Sequence, residues 1–140
     1  MPVGHRILPE KNLAYIWNAG FVAIDECVAS MQAFMGDPDR RPGLLFLFDL
    51  SRVTEFERDY TRIMELQALM ADVVPPSPTP TLVILYAPTK VSREAAAPMR
   101  MSWPDNAQVM PRIAETEAEA LSISGLSEID LRALYTVAET

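Results

Sequence analysis

The chain has 140 residues, with one cysteine, one histidine, eight methionines, a net charge of -7 and an isoelectric point near 4.6. That length predicts a single domain over residues 1–140, large enough to bury roughly two-thirds of the surface its unfolded chain exposes. One cysteine excludes an internal disulfide and a cysteine-rich zinc site and fits a reducing, cytoplasmic setting, while the acidic balance argues against nucleic acid, whose phosphates need clustered Lys and Arg.

Ile7-Leu8 and the run from Leu13 to Trp17 predict a short edge strand and a longer strand ending at Gly20, an antiparallel pair joined through Pro9-Glu10-Lys11-Asn12. Ile24, Cys27, Val28, Met31, Phe34 and Met35 repeat at helical spacing. Asp25 and Glu26 sit where a helix N-terminus favours negative charge, and Gly36-Asp37-Pro38 stops the helix. Gly43 to Ser51 is apolar at every position up to Asp49, where the strand is expected to end and a loop to begin. A run without alternation suits a strand covered on both faces, which favours a parallel α/β sheet.

Phe56, Tyr60, Ile63, Gln67 and Met70, widened by Leu66, mark a second helix reaching about Val73. The segment Pro75 to Pro80 cannot continue it, because proline lacks the donor and clashes with the preceding turn. Thr81 to Tyr86 is a second all-apolar strand, followed by a helix from about Lys90 to Ser102 that Pro98 kinks or ends early. Ala107 to Ile113 predicts a last strand, placed at an edge by Pro111. Thr116 and Glu119 have capping-box spacing for a helix that Gly125 closes, and Ser127 to Leu134 predicts a short terminal helix. No apolar run approaches the ~20 residues of a membrane span, and the N-terminus lacks a leader pattern.

Asp49-Leu50-Ser51-Arg52-Val53-Thr54 resembles the Asp-Leu-Ser-x-Val-Thr signature that ends the central strand of SpoIIAA-like and STAS domains, the anti-sigma factor antagonist superfamily. The element order extends the resemblance from about Leu13 to Gly125. It implies a right-handed β-α superhelix with a mainly parallel sheet of four to five strands, to which the residues add the antiparallel N-terminal edge strand. It also implies a non-catalytic protein-interaction module. The surface expected to meet a protein partner is the end of the central strand and the start of the second helix, with Asp49, Ser51, Glu57, Arg58 and Asp59 as its residues. In phospho-regulated members an Asp-Ser-Ser-Gly segment carries the phosphoacceptor serine; Glu57-Arg58-Asp59-Tyr60 stands there, with Asp59 at the acceptor position. A carboxylate holds its charge permanently and cannot be switched by a serine kinase.

The same branch is similar to CRAL-TRIO lipid-transfer domains, so the alternative is a carrier of a lipid or other apolar small molecule. Its candidate ligand-binding residues are Met99 and Trp103, beside the Pro98 break. Catalysis finds little to work with. His5 is the sole histidine, near a terminus, and Cys27 lies on an apolar helix face beside Asp25 and Glu26, which raise a thiol pKa. No catalytic, metal or cofactor residue is assigned. A phosphoreceiver would need an acidic pair for magnesium at the end of the first parallel strand, and Asn18-Ala19-Gly20 offers none. Trp17, Phe21 and Trp103 are the aromatics that could seal a homodimer if exposed. Arg40-Arg41 and Arg58/Arg62 fit solvated faces.

Overall fold

The computed structural model describes residues 2–104 and 108–139. Strands and helices follow in the order β1 (Val3–Leu8), β2 (Leu13–Val22), α1 (Ile24–Met35), β3 (Leu45–Phe56), α2 (Tyr60–Val73), β4 (Thr81–Tyr86), α3 (Lys90–Arg100), β5 (Val109–Ala114), α4 (Glu117–Ser124) and α5 (Glu128–Glu139). The fold is α/β, with a five-stranded sheet in chain order, β1 antiparallel to β2 and each later pair parallel. Every crossover therefore steps one place in the same direction, and connections of one hand set their helices on one face. α1, α2 and α3 do share a face, where Met31, Phe34, Met70 and Val73 pack on Phe46 and Phe48. The opposite face is covered by α4 and α5, whose Ala120, Leu131 and Leu134 meet Tyr15, Leu47 and Ile84. Cover on both sides is why β3 and β4 are apolar without alternation.

Local chemistry sets the boundaries. Thr89 and Ser92 form a capping box at the start of α3, each side chain bonding the other's backbone. Thr116 accepts from the Glu119 amide at 3.1 Å, and Gly125, at φ 73°, takes the left-handed turn that ends α4. α3 runs past Pro98 and ends at Arg100. Among the described residues no helix is long and apolar enough to cross a membrane.

The structure corrects several boundaries. β3 does not end at Asp49 but continues to Phe56, because its ladder with β2 survives two register shifts, opposite Trp17–Ala19 and Gly20–Phe21. At each shift β3 carries an extra residue, the count that defines a bulge and bends the strand. Phe56 accordingly closes a strand instead of opening a helix, and Tyr60, placed in the apolar stripe by spacing, is 76% exposed. α5 is longer than its sequence signal and reaches Glu139. The expected strand start at Ala107 lies outside the described residues; β5 begins at Val109.

Candidate functional site

β4 pairs with β3 only as far as Asp49, opposite Tyr86, so beyond it β2 and β3 project as a two-stranded tongue. From its tip the chain turns through Glu57 and Arg58 into α2. The Asp59 side chain caps that helix, accepting from the Arg62 amide at 3.2 Å.

Each charged residue at this end ties two elements together. The α1 N-terminus begins after Ala23, whose side chain has no acceptor, and Glu57 supplies one from β3's end, accepting from the Ile24 amide at 3.0 Å. Glu57 also receives Arg62 at 2.7 Å, and Arg62 reaches Asp25 of α1 as well. Arg58 lies over the Phe56 ring, 4.2 Å from its centroid, and bridges Glu55 (3.0 Å) and Glu94 of α3 (2.8 Å). The Phe56 amide and then Arg58 hold the Glu55 carboxyl below the usual carboxylate range. Five carboxylates, those of Asp25, Glu55, Glu57, Asp59 and Glu94, thus stand against the guanidiniums of Arg58 and Arg62, leaving the rim acidic.

Beside these charges apolar side chains stand exposed on α2 and the tongue. Tyr60 and Met64, four apart on α2, are 76% and 68% exposed, and Phe21 at the tongue is 56% exposed. Ala68 and Ala71 continue the outer face of α2. Sequence spacing missed this patch. The core-facing run of α2 is Leu66, Met70 and Val73, and Tyr60 stands in the first turn, outside that cluster.

Asp49 belongs to a different place. It is 1% exposed and offers no atoms to a partner, which corrects its assignment as a contact residue. The Tyr15 hydroxyl donates to its Oδ2 at 2.6 Å, and the Ser51 amide and hydroxyl donate to its Oδ1 at 3.0 and 2.5 Å. Arg52 approaches at 3.5 Å with its guanidinium 5.5 Å from the Tyr135 ring centroid. Burial, then the Asp49 charge, pushes the Tyr15 phenol far above its ordinary range. The resemblance hexapeptide therefore works here as internal scaffolding: a carboxylate can sit within β3 because four donors meet it. Ser51 is half-buried and committed to that carboxylate, whereas Arg58 and Asp59 are exposed at the rim and Glu57 is half-buried there.

Met99 and Trp103 join one apolar cluster but border no common cavity among the described residues. Met99 borders two apolar cavities of about 70 and 50 Å³ between the α1–α3 layer and the sheet, which share Asn18, Cys27, Leu66 and Met70. Burial and then Glu26 push the Cys27 thiol up to about 12, so it is protonated and unreactive at neutral pH. Trp103, 5% exposed, instead borders a separate surface hollow with Arg100, Pro111 and Arg112. Of the three aromatics that could seal a homodimer face, Trp17 and Trp103 are buried and Phe21 is exposed.

Comparison of the chain with family models, with curated proteins and with solved structures finds no match.

Proposed function

We propose that this chain is a non-catalytic protein-interaction module of the SpoIIAA/STAS-like kind, meeting its partner through the tongue end of β3 and the outer face of α2. The observation that carries this reading is the pairing of Tyr60 and Met64, more than two-thirds exposed on adjacent turns of α2, with the ion-paired charges at the start of that helix beside them. Interface centres are enriched in aromatics and methionine and depleted of charge, with polar rims. The acidic excess of the rim selects a partner with a basic surface, and such charges govern encounter more than affinity. Asp59, capping α2 with a permanent carboxylate, gives the surface a fixed charge where phospho-regulated relatives of that kind carry a switch.

A photo-crosslinking amino acid at position 64, compared with one at exposed Thr136 on α5, tests the reading in cells. A discrete adduct formed from position 64 alone, and lost with Tyr60→Ser, supports it. Identical adducts from both positions, or none from position 64, reject it.

The cavities beside Met99 favour the second reading, a carrier of an apolar small molecule. Volume bounds the cargo: drug-sized ligands occupy about 300–1,000 Å³, so a cavity of about 70 Å³ suits a few heavy atoms and not a lipid chain. Native mass spectrometry of freshly purified protein showing a bound mass of fatty-acid size or larger would contradict that bound.

A further inference from the structure

The sheet has two edges of different character. β5 carries Pro111 and Arg112, a missing donor and a charge of the kind that blunts an edge. β1, Val3-Gly4-His5-Arg6-Ile7-Leu8, has no proline and pairs with β2 without a register shift. The phase of that ladder is fixed by the Ala19 amide, which donates to the Pro2 carbonyl at 2.6 Å. Alternation then directs the backbone groups of Gly4, Arg6 and Leu8 to β2 and turns those of Val3, His5 and Ile7 outward. Among the described residues no strand pairs with that side. A groove of about 590 Å³ wraps the edge, reaching Ala29, Ser30 and Ala33 of α1 on one face and Val137 of α5 on the other. Gly4 lets the Trp17 ring lie against the strand at this groove, since a Cβ there would lie 2.4 Å from it.

We propose that this edge is a binding site for an extended segment of a partner polypeptide, which adds to β1 as a further strand with its side chains alternating between the α1 and α5 sides. Backbone groups supply such a strand's affinity and flanking pockets its specificity. The α1 side is walled by small side chains and so takes apolar residues of some bulk, while Glu26 of α1 and Arg6 of β1, both bordering the groove, select a basic and an acidic residue respectively. α1 packs against β1 itself, so a second copy paired at this edge would bring its own α1 beside this one, whereas an extended segment brings no layers of its own. The site lies away from the α2 surface and stands or falls independently of it.

The experiment is selection of a displayed library of random heptapeptides on the intact protein, followed by amide hydrogen exchange with the best peptide bound. Enriched peptides are expected to alternate apolar residues and to carry one basic and one acidic residue. On binding, the amides of Val3, His5 and Ile7 gain protection while those of Gly4, Arg6 and Leu8 stay as they were. His5→Pro removes an outward donor and is expected to weaken binding tenfold or more, while His5→Gln, which keeps the amide, does not. Ala33→Lys, at an exposed helix position, gives the same loss and decides the matter if His5→Pro fails to fold. Absence of enriched peptides, equal binding to Ala33→Lys, or the three outward amides exchanging freely in the complex would overturn the proposal. So would protection of those amides that rises with protein concentration in the absence of peptide, the mark of a second copy.

Discussion

On the α1–α3 face the ion pairs gather at the sheet end and the packing beneath leaves cavities around Cys27, Leu66, Met70 and Met99, whereas on the α4–α5 face polar groups are set into the packing itself, Tyr15 on Asp49 and Arg52 against Tyr135, with Lys11 on Asp130 at 2.7 Å outside it. The difference follows from topology. α1, α2 and α3 are crossovers held between strands at both ends, so their place on the sheet is set by the chain and loose packing is tolerated. α4 and α5 follow the last strand, and specific side-chain contacts must hold them.

The sharpest way to break this contrast is at Asp49. Removing one partner from a buried charged network strands the rest, at a cost of about 3–5 kcal/mol, so Asp49→Ala is expected to lose that much in urea unfolding. Tyr15→Phe removes one donor and leaves the carboxylate its other bonds, costing about 1–3 kcal/mol. A loss under 1 kcal/mol for Asp49→Ala would show the network to be incidental.

Much of this architecture was legible in the residues and some was not, for identifiable reasons. The strand Thr81–Tyr86 and the helix Ile24–Met35 follow their signals closely, because apolar runs and stops at Gly36 and Pro88 are local facts. A charge in sequence looks solvated, so Asp49 predicts a strand end, whereas the donors that bury it come partly from Tyr15, thirty-four positions away. Tyr60 shows the converse. Helical spacing assigns it to the core face, but it stands outside the cluster that Leu66, Met70 and Val73 join, since burial depends on what other elements bring to a position. Glu57 capping α1 from another element, and the groove along β1, left no local trace.

Volume changes sharpen the contrast with smaller effects. Ala120, 2% exposed under α4, has no room to grow, and Ala120→Val is expected to destabilise by about 1–3 kcal/mol through overpacking. Ala95 borders the larger cavity of the other face. There Ala95→Val adds two methyl groups, worth up to ~1.6 kcal/mol of burial, against ~0.6 kcal/mol of helix propensity, a net gain of about 1 kcal/mol. Equal signs for the two substitutions in thermal unfolding would erase the distinction.

Alkali probes both faces at once. Cys27 on the first face and Tyr15 on the second are held protonated by burial, with folded pKa values raised above their ordinary ones. The unfolded chain therefore releases these protons first, and stability is full below about pH 9 and falls as pH rises toward about 12. Each group contributes about 1.4 kcal/mol per pH unit within its own window, Cys27 from about 9 and Tyr15 from about 10. Cys27→Ala is expected to flatten the first part of that decline, and Tyr15→Phe the second, in urea titrations across this range.

The gentlest test is the tether of α5. Lys11 in the hairpin between β1 and β2 donates to Asp130, and with the Ser127 amide it holds that carboxyl down at about 2. A depressed folded pKa means that the contribution is whole above the ordinary value of 3.8 and disappears as pH falls through about 2. Because the pair is exposed and screened, Lys11→Met is expected to leave the unfolding midpoint nearly unchanged. Local opening is where the loss should register: amides of α5 are expected to exchange several-fold faster while those of α1 keep their rate, since only the terminal helix depends on the anchor. Raised salt should reproduce part of that acceleration in the wild type and add none in the variant, which separates the ion pair from the packing of Leu131 and Leu134 beneath it.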